Sequence, residues 1–228
     1  MKVLEINKLY NIDCRSLILP KNSLIISDPP YNIGYSYLEY SDKMSENEYI
    51  DLFKVFRGYK CVFIHYPEET IKYIIPAMGL PTEIVSWVYN SNTKKQHRMI
   101  SWYNCKPDFS KFKQPYKNLK DKRILKRISE GHKGADLYDW WEIDLVKNVS
   151  EEKTEYTNQI PEEVIARIIK TTAEKNDVII DPFNGSGTTC VVAQKLGFNW
   201  VGLDVSKEAI RVASERMHPL INNLFKTL

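Results

Sequence analysis

The stretch that most constrains this 228-residue chain is Asp177-Val178-Ile179-Ile180-Asp181, which runs directly into Pro182-Phe183-Asn184-Gly185-Ser186-Gly187-Thr188-Thr189. The short β-branched run reads as a buried strand, and Thr188 to Leu196 reads as a helix. Between them, Gly185 and Gly187 let the backbone turn tightly and come close to a ligand, while the opening of the helix presents free N–H groups. Strand, tight loop and helix in succession form the repeating unit of a parallel α/β sheet. The loop lacks the lysine of a Walker A sequence and is shorter than the GxGxxG of dinucleotide-binding folds. The next strand, Trp200 to Asp204, ends in an acid seventeen residues after Gly187. An acid in that place can accept the two hydroxyls of a ribose. Asp204 also reads as a cap for the helix that follows Ser206.

The remainder of the chain repeats the same alternation. Residues 1–31 open with a polar stretch that reads as a short helix or turn, followed by the strand Ser23–Ser27. Met44 to Phe56 has helical spacing with Ser45 as its N-cap, Lys60 to His65 reads as a strand, and Glu68 to Met78 as a helix ending at Pro76. Ile84 to Tyr89 is a further strand. Ile160 to Ala173, with Pro161 in its first turn, and Lys207 to Met217 are helices. The spacing therefore predicts an α/β fold with a mainly parallel, doubly wound sheet. Between 91 and 150 the periodicity fades, which marks an insertion or small lobe. The expected organisation is 1–90 and 151–228 as two halves of one domain, with 91–150 inserted between them.

The strand Ser23–Ser27 ends in Asp28-Pro29-Pro30-Tyr31. Ligands of open α/β sheets gather outside the carboxyl ends of the strands, so reactive groups belong here. An aromatic amine is a poor nucleophile because its lone pair is delocalised into the ring. The Asp28 carboxylate and a backbone carbonyl can accept its two N–H bonds and favour a more pyramidal nitrogen. Paired prolines stiffen the turn and bring no N–H groups that would compete for those carbonyls. Tyr31 offers a flat face on which an extruded base can stack. A plainer reading of the same four residues is a Pro-Pro turn whose Asp caps a neighbouring helix.

Charge is spread unevenly. Residues 91–133 hold thirteen Lys and Arg against three acids, a local charge of +10 in a chain whose net charge is +3, so the remainder carries −7. Lys94, Lys95, Arg98, Lys113, Lys122, Arg123, Lys126 and Arg127 are the candidate contacts to a polyanion, with aromatics such as Trp102, Tyr103, Phe109, Phe112 and Tyr116 interleaved. Cys14, Cys61, Cys105 and Cys190 are scattered and form no CxxC pair, and the four histidines show no HExxH or HxH spacing. No metal is expected. No apolar run has the length of a membrane span and no signal-peptide core opens the sequence, so a cytoplasmic location and no membrane partner are expected.

Together, DPPY and DPFxGSGTT resemble the amino-methyltransferases of DNA, which modify N6 of adenine or N4 of cytosine. The order, with the tetrapeptide first and the glycine loop about 150 residues later, is similar to the beta-ordered, circularly permuted group, whose recognition region lies between the two halves. The resemblance extends to Asn11-Ile12-Asp13-Cys14, Trp87-Val88-Tyr89-Asn90, Tyr138-Asp139-Trp140-Trp141-Glu142 and Thr157-Asn158-Gln159-Ile160-Pro161. It implies a Rossmann-like methyltransferase fold, S-adenosylmethionine as cofactor and double-stranded DNA as partner. Asp28, Pro29, Pro30 and Tyr31 would form the catalytic loop, with Asp28 also beside the cofactor. Asp181, Phe183, Asn184, Gly185, Ser186, Gly187, Thr188 and Thr189 would surround the cofactor's methionine end. Asp204 would take its ribose, Asp13 and Cys14 its adenine, and Gln159 and Pro161 would line the same pocket. Asn-Gln-Ile-Pro stands where the family usually has Thr-Gln-Lys-Pro. Asp in the first position of the tetrapeptide is more typical of adenine enzymes and Ser of cytosine N4 enzymes. The resemblance thus implies site-specific adenine-N6 methylation by base flipping and direct in-line transfer. N4-cytosine methylation, or the same chemistry on RNA or protein glutamine, is the alternative. The short recognition segment suits a homodimer, and a companion restriction endonuclease is a further expected partner.

Overall fold

In the computed structural model, residues 4–34, 42–92, 94–148 and 150–224 are described. The first half of the chain forms β1 (Lys8–Asn11), β2 (Ser23–Ser27), α1 (Glu46–Lys54), β3 (Lys60–His65), α2 (Pro67–Glu69), a π-helical turn (Thr70–Ile74), α3 (Ile75–Met78), β4 (Glu83–Val88) and β5 (His97–Tyr103). The second half adds β6 (Lys113–Gln114), α4 (Lys122–Ser129), β7 (Ala135–Asp136), β8 (Trp140–Glu142), α5 (Glu162–Thr172), β9 (Val178–Asp181), α6 (Thr188–Lys195), β10 (Asn199–Asp204) and α7 (Lys207–Leu224).

Eight strands form one sheet in the order β1-β10-β9-β2-β3-β5-β4-β8. The first five in that order are parallel, β5 runs antiparallel to both β3 and β4, and β8 is parallel to β4. The central strands are buried on both faces, and period-two alternation assigns their side chains to two cores. Leu24, Ile26, Val62, Ile64 and Ile179 pack with α5 and α6, joined by Trp87, Trp102, Trp141 and Trp200. Ile25, Cys61, Phe63 and Ile180 pack on the other face with Tyr49, Leu52, Phe53 and Phe56 of α1 and its C-terminal turn. The expected α/β, mainly parallel, doubly wound sheet is the fold observed.

Three local expectations differ from the structure. The polar opening is not a helix or turn at Lys8–Asn11; it is the edge strand β1, paired in parallel with β10. Its register is fixed from far along the chain, where Trp200 N donates to Asn7 Oδ1 at 3.1 Å and Asn7 N donates to Trp200 O. Local periodicity carries no trace of such a partner. The helix after β3 does not stop at Pro76 but continues to Met78. Pro76 has no N–H for the ordinary bond to residue 72, and the wider π turn before it accommodates the ring. Finally, the basic segment begins inside the main sheet, because β5 lies between β3 and β4. The part that stands beside the sheet is the β6–β7 pair with α4 between its strands.

Because β5 is antiparallel to β3, with His65 opposite Met99, its first residues lie at the carboxyl end of β3. That is the edge of the sheet at which β2 and β9 end in Asp28 and Asp181.

Candidate active site

A cavity of about 570 Å³ opens at this edge. Its wall brings together Asp13, Cys14, Asp28, Pro29, Pro30, Tyr31, Gln159, Asp181, Phe183, Asn184, Gly185, Ser186, Thr188, Thr189 and Asp204. Segments from both halves of the sequence thus converge on one space.

The catalytic-loop candidates are held from two sides. Asp28 Oδ1 accepts a hydrogen bond from the Tyr31 hydroxyl, and Asp28 Oδ2 accepts one from Arg98 Nη1 at 3.2 Å. Burial pushes the Asp28 carboxyl above its ordinary range, while Arg98 and the Tyr31 hydroxyl pull it back down. The Pro30 carbonyl accepts from the Tyr49 hydroxyl, whose oxygen lies 2.9 Å from His65 Nε2. His65 Nδ1 accepts from Tyr66 N at 3.1 Å, so the neutral ring carries its proton on Nε2 and donates to Tyr49. Burial, with Arg98 adding to it, pushes His65 down to about 3 and keeps it neutral. The Tyr31 ring centroid lies 4.3 Å from that of the imidazole and 5.0 Å from that of Tyr66, the latter pair meeting edge to face. The Pro29 carbonyl receives no hydrogen bond among the described residues.

The glycine loop is built for shape. Asn184 N donates to Leu203 O at 2.9 Å, and Gly185 N donates to Asp204 Oδ2 at 2.8 Å. Asp204 Oδ1 accepts from Ser206 N, so its cap and cavity positions coexist. Gly185 has φ +47°, and a Cβ there would lie 3.2 Å from the Tyr156 ring. Asp181 accepts from Ser27 Oγ at 2.6 Å and from Phe183 N, and burial raises it to about 6. Arg216 of α7 clamps the loop from behind, donating to Ser186 O at 3.0 Å and Thr188 Oγ1 at 2.9 Å. Burial raises the Cys14 thiol to about 12, which keeps it protonated near neutral pH.

Two of the expected cofactor residues are not on the cavity wall. Gly187 caps α6 with φ +81°, and a Cβ on it would lie 2.8 Å from Ala213 Cβ. Its glycine requirement comes from the close approach of α7. Pro161 caps α5 and is buried away from the wall. Gln159 does reach the wall, but its amide is engaged with Thr154 and the Glu152 carbonyl.

Arg98 is the clearest departure among the expected polyanion contacts. Its neighbours in sequence suggested a surface cation, yet it is 7% exposed and lines the cavity. Its place on β5 explains this, since alternation turns Arg98 inward. The other seven are exposed. Lys95, Lys113, Arg123 and Lys126 form surface ion pairs, whereas Lys94, Lys122 and Arg127 form none among the described residues. Sequence reasoning missed Asp42, Tyr66 and Tyr156 on the wall. Asp42 is 2% exposed, and neither carboxylate oxygen has a hydrogen-bond partner among the described residues.

A DNA methylase family model, that of the N6/N4 methyltransferases, matches residues 23–215, a span that contains both the tetrapeptide and the glycine loop. The chain belongs to this family. Among its relatives, the type II methyltransferase M.BglII of Bacillus subtilis is 28% identical over 98% of this chain and 73% of its own length. The type II methyltransferase M.HpaI of Haemophilus parainfluenzae is 26% identical over 90% and 71%. The M1.HpyAVI–SAM complex superposes with a TM-score of 0.60 at 20% identity, covering 92% of this chain and 98% of that one. The cytosine-N4-specific PvuII DNA methyltransferase gives 0.60 at 15% identity, covering 88% and 83%. These likenesses agree with the fold of the DNA methyltransferase described above.

Proposed function

We propose that this DNA methyltransferase moves a methyl group from S-adenosylmethionine to the N6 amine of adenine in duplex DNA. The observation that carries the reading is the meeting of Asp28 and Pro29 with the glycine loop and Asp204 on one cavity. Asp28 would accept one N–H of the target amine and the Pro29 carbonyl the other, turning the nitrogen lone pair out of the ring. Tyr31, braced by His65 and Tyr66, would stack on the extruded base. S-adenosylmethionine supplies an electrophilic methyl on a sulfonium. Asp28 in the first position of the tetrapeptide supports adenine; the likeness to the cytosine-N4-specific PvuII enzyme supports the N4 alternative. Labelled methyl transfer to unmethylated DNA, followed by nucleoside analysis, decides. N6-methyladenine is expected, and N4-methylcytosine would overturn the base assignment. Label on RNA or protein alone would overturn the substrate.

The wall fits a cationic cofactor. Five acids line it, Asp13, Asp28, Asp42, Asp181 and Asp204, against two arginines, Arg15 and Arg98. Four of the acids already accept hydrogen bonds from within the chain, and Asp42 is the one left without a donor among the described residues. A buried carboxylate without donors is costly, and an ammonium is the group that relieves it. Asp42 would therefore hold the α-ammonium of the cofactor. Asp42→Asn is expected to weaken S-adenosylhomocysteine binding by about tenfold, roughly 1.4 kcal/mol. Calorimetry measures it, and an unchanged affinity would remove Asp42 from the site.

Duplex DNA would lie across the basic lobe. Replacing Lys94, Lys122 and Arg127 together by alanine is expected to flatten the plot of log affinity against log salt by about 0.9 per lost phosphate contact. Fluorescence anisotropy across a salt series reads this slope, and an unchanged slope would move the DNA elsewhere.

A further inference from the structure

Arg98 is a buried cation that the methyl-transfer chemistry does not by itself require. Its Cζ lies 5.4 Å from the Tyr31 ring centroid, 5.7 Å from Tyr66, 5.3 Å from Trp87 and 6.0 Å from Tyr89. Its Nε is buried without a hydrogen-bond partner among the described residues, which leaves part of this guanidinium unsatisfied there. A guanidinium taken out of water costs several kcal/mol unless an anion and aromatic faces offset it. Among the described residues, its ion-pair partner is Asp28 at 3.2 Å.

We propose that Arg98 is the positioning residue of Asp28, fixing one oxygen of the carboxylate that receives the target amine and balancing its charge. The proposal rests on the reading of Asp28 given above. The carboxylate is gripped from two independent elements, by the Tyr31 hydroxyl from its own loop and by Arg98 from β5. That grip fixes the plane of the carboxylate. The protonation state matters as much, because a charged carboxylate can accept the amine's N–H at either oxygen whereas a protonated one presents a competing donor. The amine also gains positive charge as its new bond forms, and an ionised Asp28 stabilises that charge.

The groups facing Asp28 are few. Tyr31 donates to it and Arg98 pairs with it, and burial, then the charge of Asp42 on the same wall, then that of Asp28 push the Tyr49 hydroxyl of α1 upward, with Glu69 of α2 and Tyr73 adding to it. His65 of β3, behind Tyr31, is neutral. Arg98 is thus the cation set against the desolvation that pushes Asp28 up. Without it the carboxyl stays protonated to higher pH, and transfer is lost over a wider acidic range.

The test is the pH dependence of single-turnover methyl transfer to DNA for the wild type, Arg98→Gln, Arg98→Lys and Asp28→Asn. S-adenosylhomocysteine affinity and thermal unfolding are measured alongside. Arg98→Gln is expected to shift the acidic limb upward by about 1–2 pH units, with cofactor affinity within about twofold of wild type. Arg98→Lys, which keeps the charge without the planar fork, is expected to place the limb between the two. If Arg98→Gln fails to fold, the Arg98→Lys limb carries the decision, and a wild-type limb there overturns the proposal. A limb lost in Asp28→Asn yet unmoved in Arg98→Gln overturns the proposal alone. A limb that persists in Asp28→Asn belongs to another group and overturns the reading of Asp28 along with it.

Discussion

Replacing Asp28 by alanine is expected to lower the methyl-transfer rate by on the order of 10²–10³-fold, the loss seen when a preorganised electrostatic partner is removed from a reacting centre. Cofactor affinity should stay within a few-fold, because the residues that would take the adenosine, Asp13, Cys14 and Asp204, are separate members of the wall. The loss should therefore fall on the chemical step and not on saturation by cofactor. Single-turnover rates at saturating S-adenosylmethionine, beside calorimetry with S-adenosylhomocysteine, separate the two. A variant that transfers at the wild-type rate would remove Asp28 from the reaction. One that loses cofactor binding in proportion to rate would make it a cofactor ligand alone.

The second large effect concerns stability. Gly187→Val places a β-branched side chain at φ +81° and drives its Cβ to 2.8 Å from Ala213 Cβ and 3.2 Å from Ala213 Cα. Neither neighbour is a flexible side-chain end, so α7 would have to move. Left-handed strain and overpacking together should cost about 2–4 kcal/mol. For a chain of this size that lowers the melting temperature by roughly 5–15 °C. Differential scanning calorimetry measures it. From the sequence the glycine loop is a cofactor cradle throughout, and the expected first casualty of a bulky residue at 187 is cofactor affinity. At Gly187 the approach of Ala213 in α7 makes stability the expected first loss, whereas the neighbour of Gly185 is the cavity residue Tyr156. A melting temperature unchanged by Gly187→Val, with affinity lost, would restore the original view.

How far the sequence carries can be judged residue by residue. Ser23–Ser27, Lys60–His65 and Asp177–Asp181 were readable because strands buried on both faces are near-continuous apolar runs. Asp28, Asp181 and Asp204 were readable because each closes such a run. What escaped were features set by partners distant in sequence. β1 exists because β10 supplies its hydrogen bonds. Arg98 is buried because β5 crosses between β3 and β4 with its first residues at the cavity. In the sequence it stands among lysines in a segment dominated by charge, and nothing local distinguishes it from them. Asp42 has no sequence signal either, since only burial without a partner sets it apart. Gln159 and Pro161 were placed at the cofactor by resemblance. Thr154 and Glu152 occupy the amide of the first, and the second caps α5.

β2 pairs in parallel with β9, a strand from the far end of the chain. Ser27 and Asp181, whose side chains meet at 2.6 Å, are separated by 154 residues. β2 must therefore wait, with one edge unpaired, until β9 has been synthesised. During translation at roughly 5–20 residues per second that edge stays open for about 8–30 seconds, long enough to recruit chaperones or pair with another chain. Folding of this enzyme is expected to depend on the complete chain, with a high contact order and a correspondingly slow final step. Nascent chains arrested before residue 178 should remain protease-sensitive in β2 and β3, however well α1 has formed.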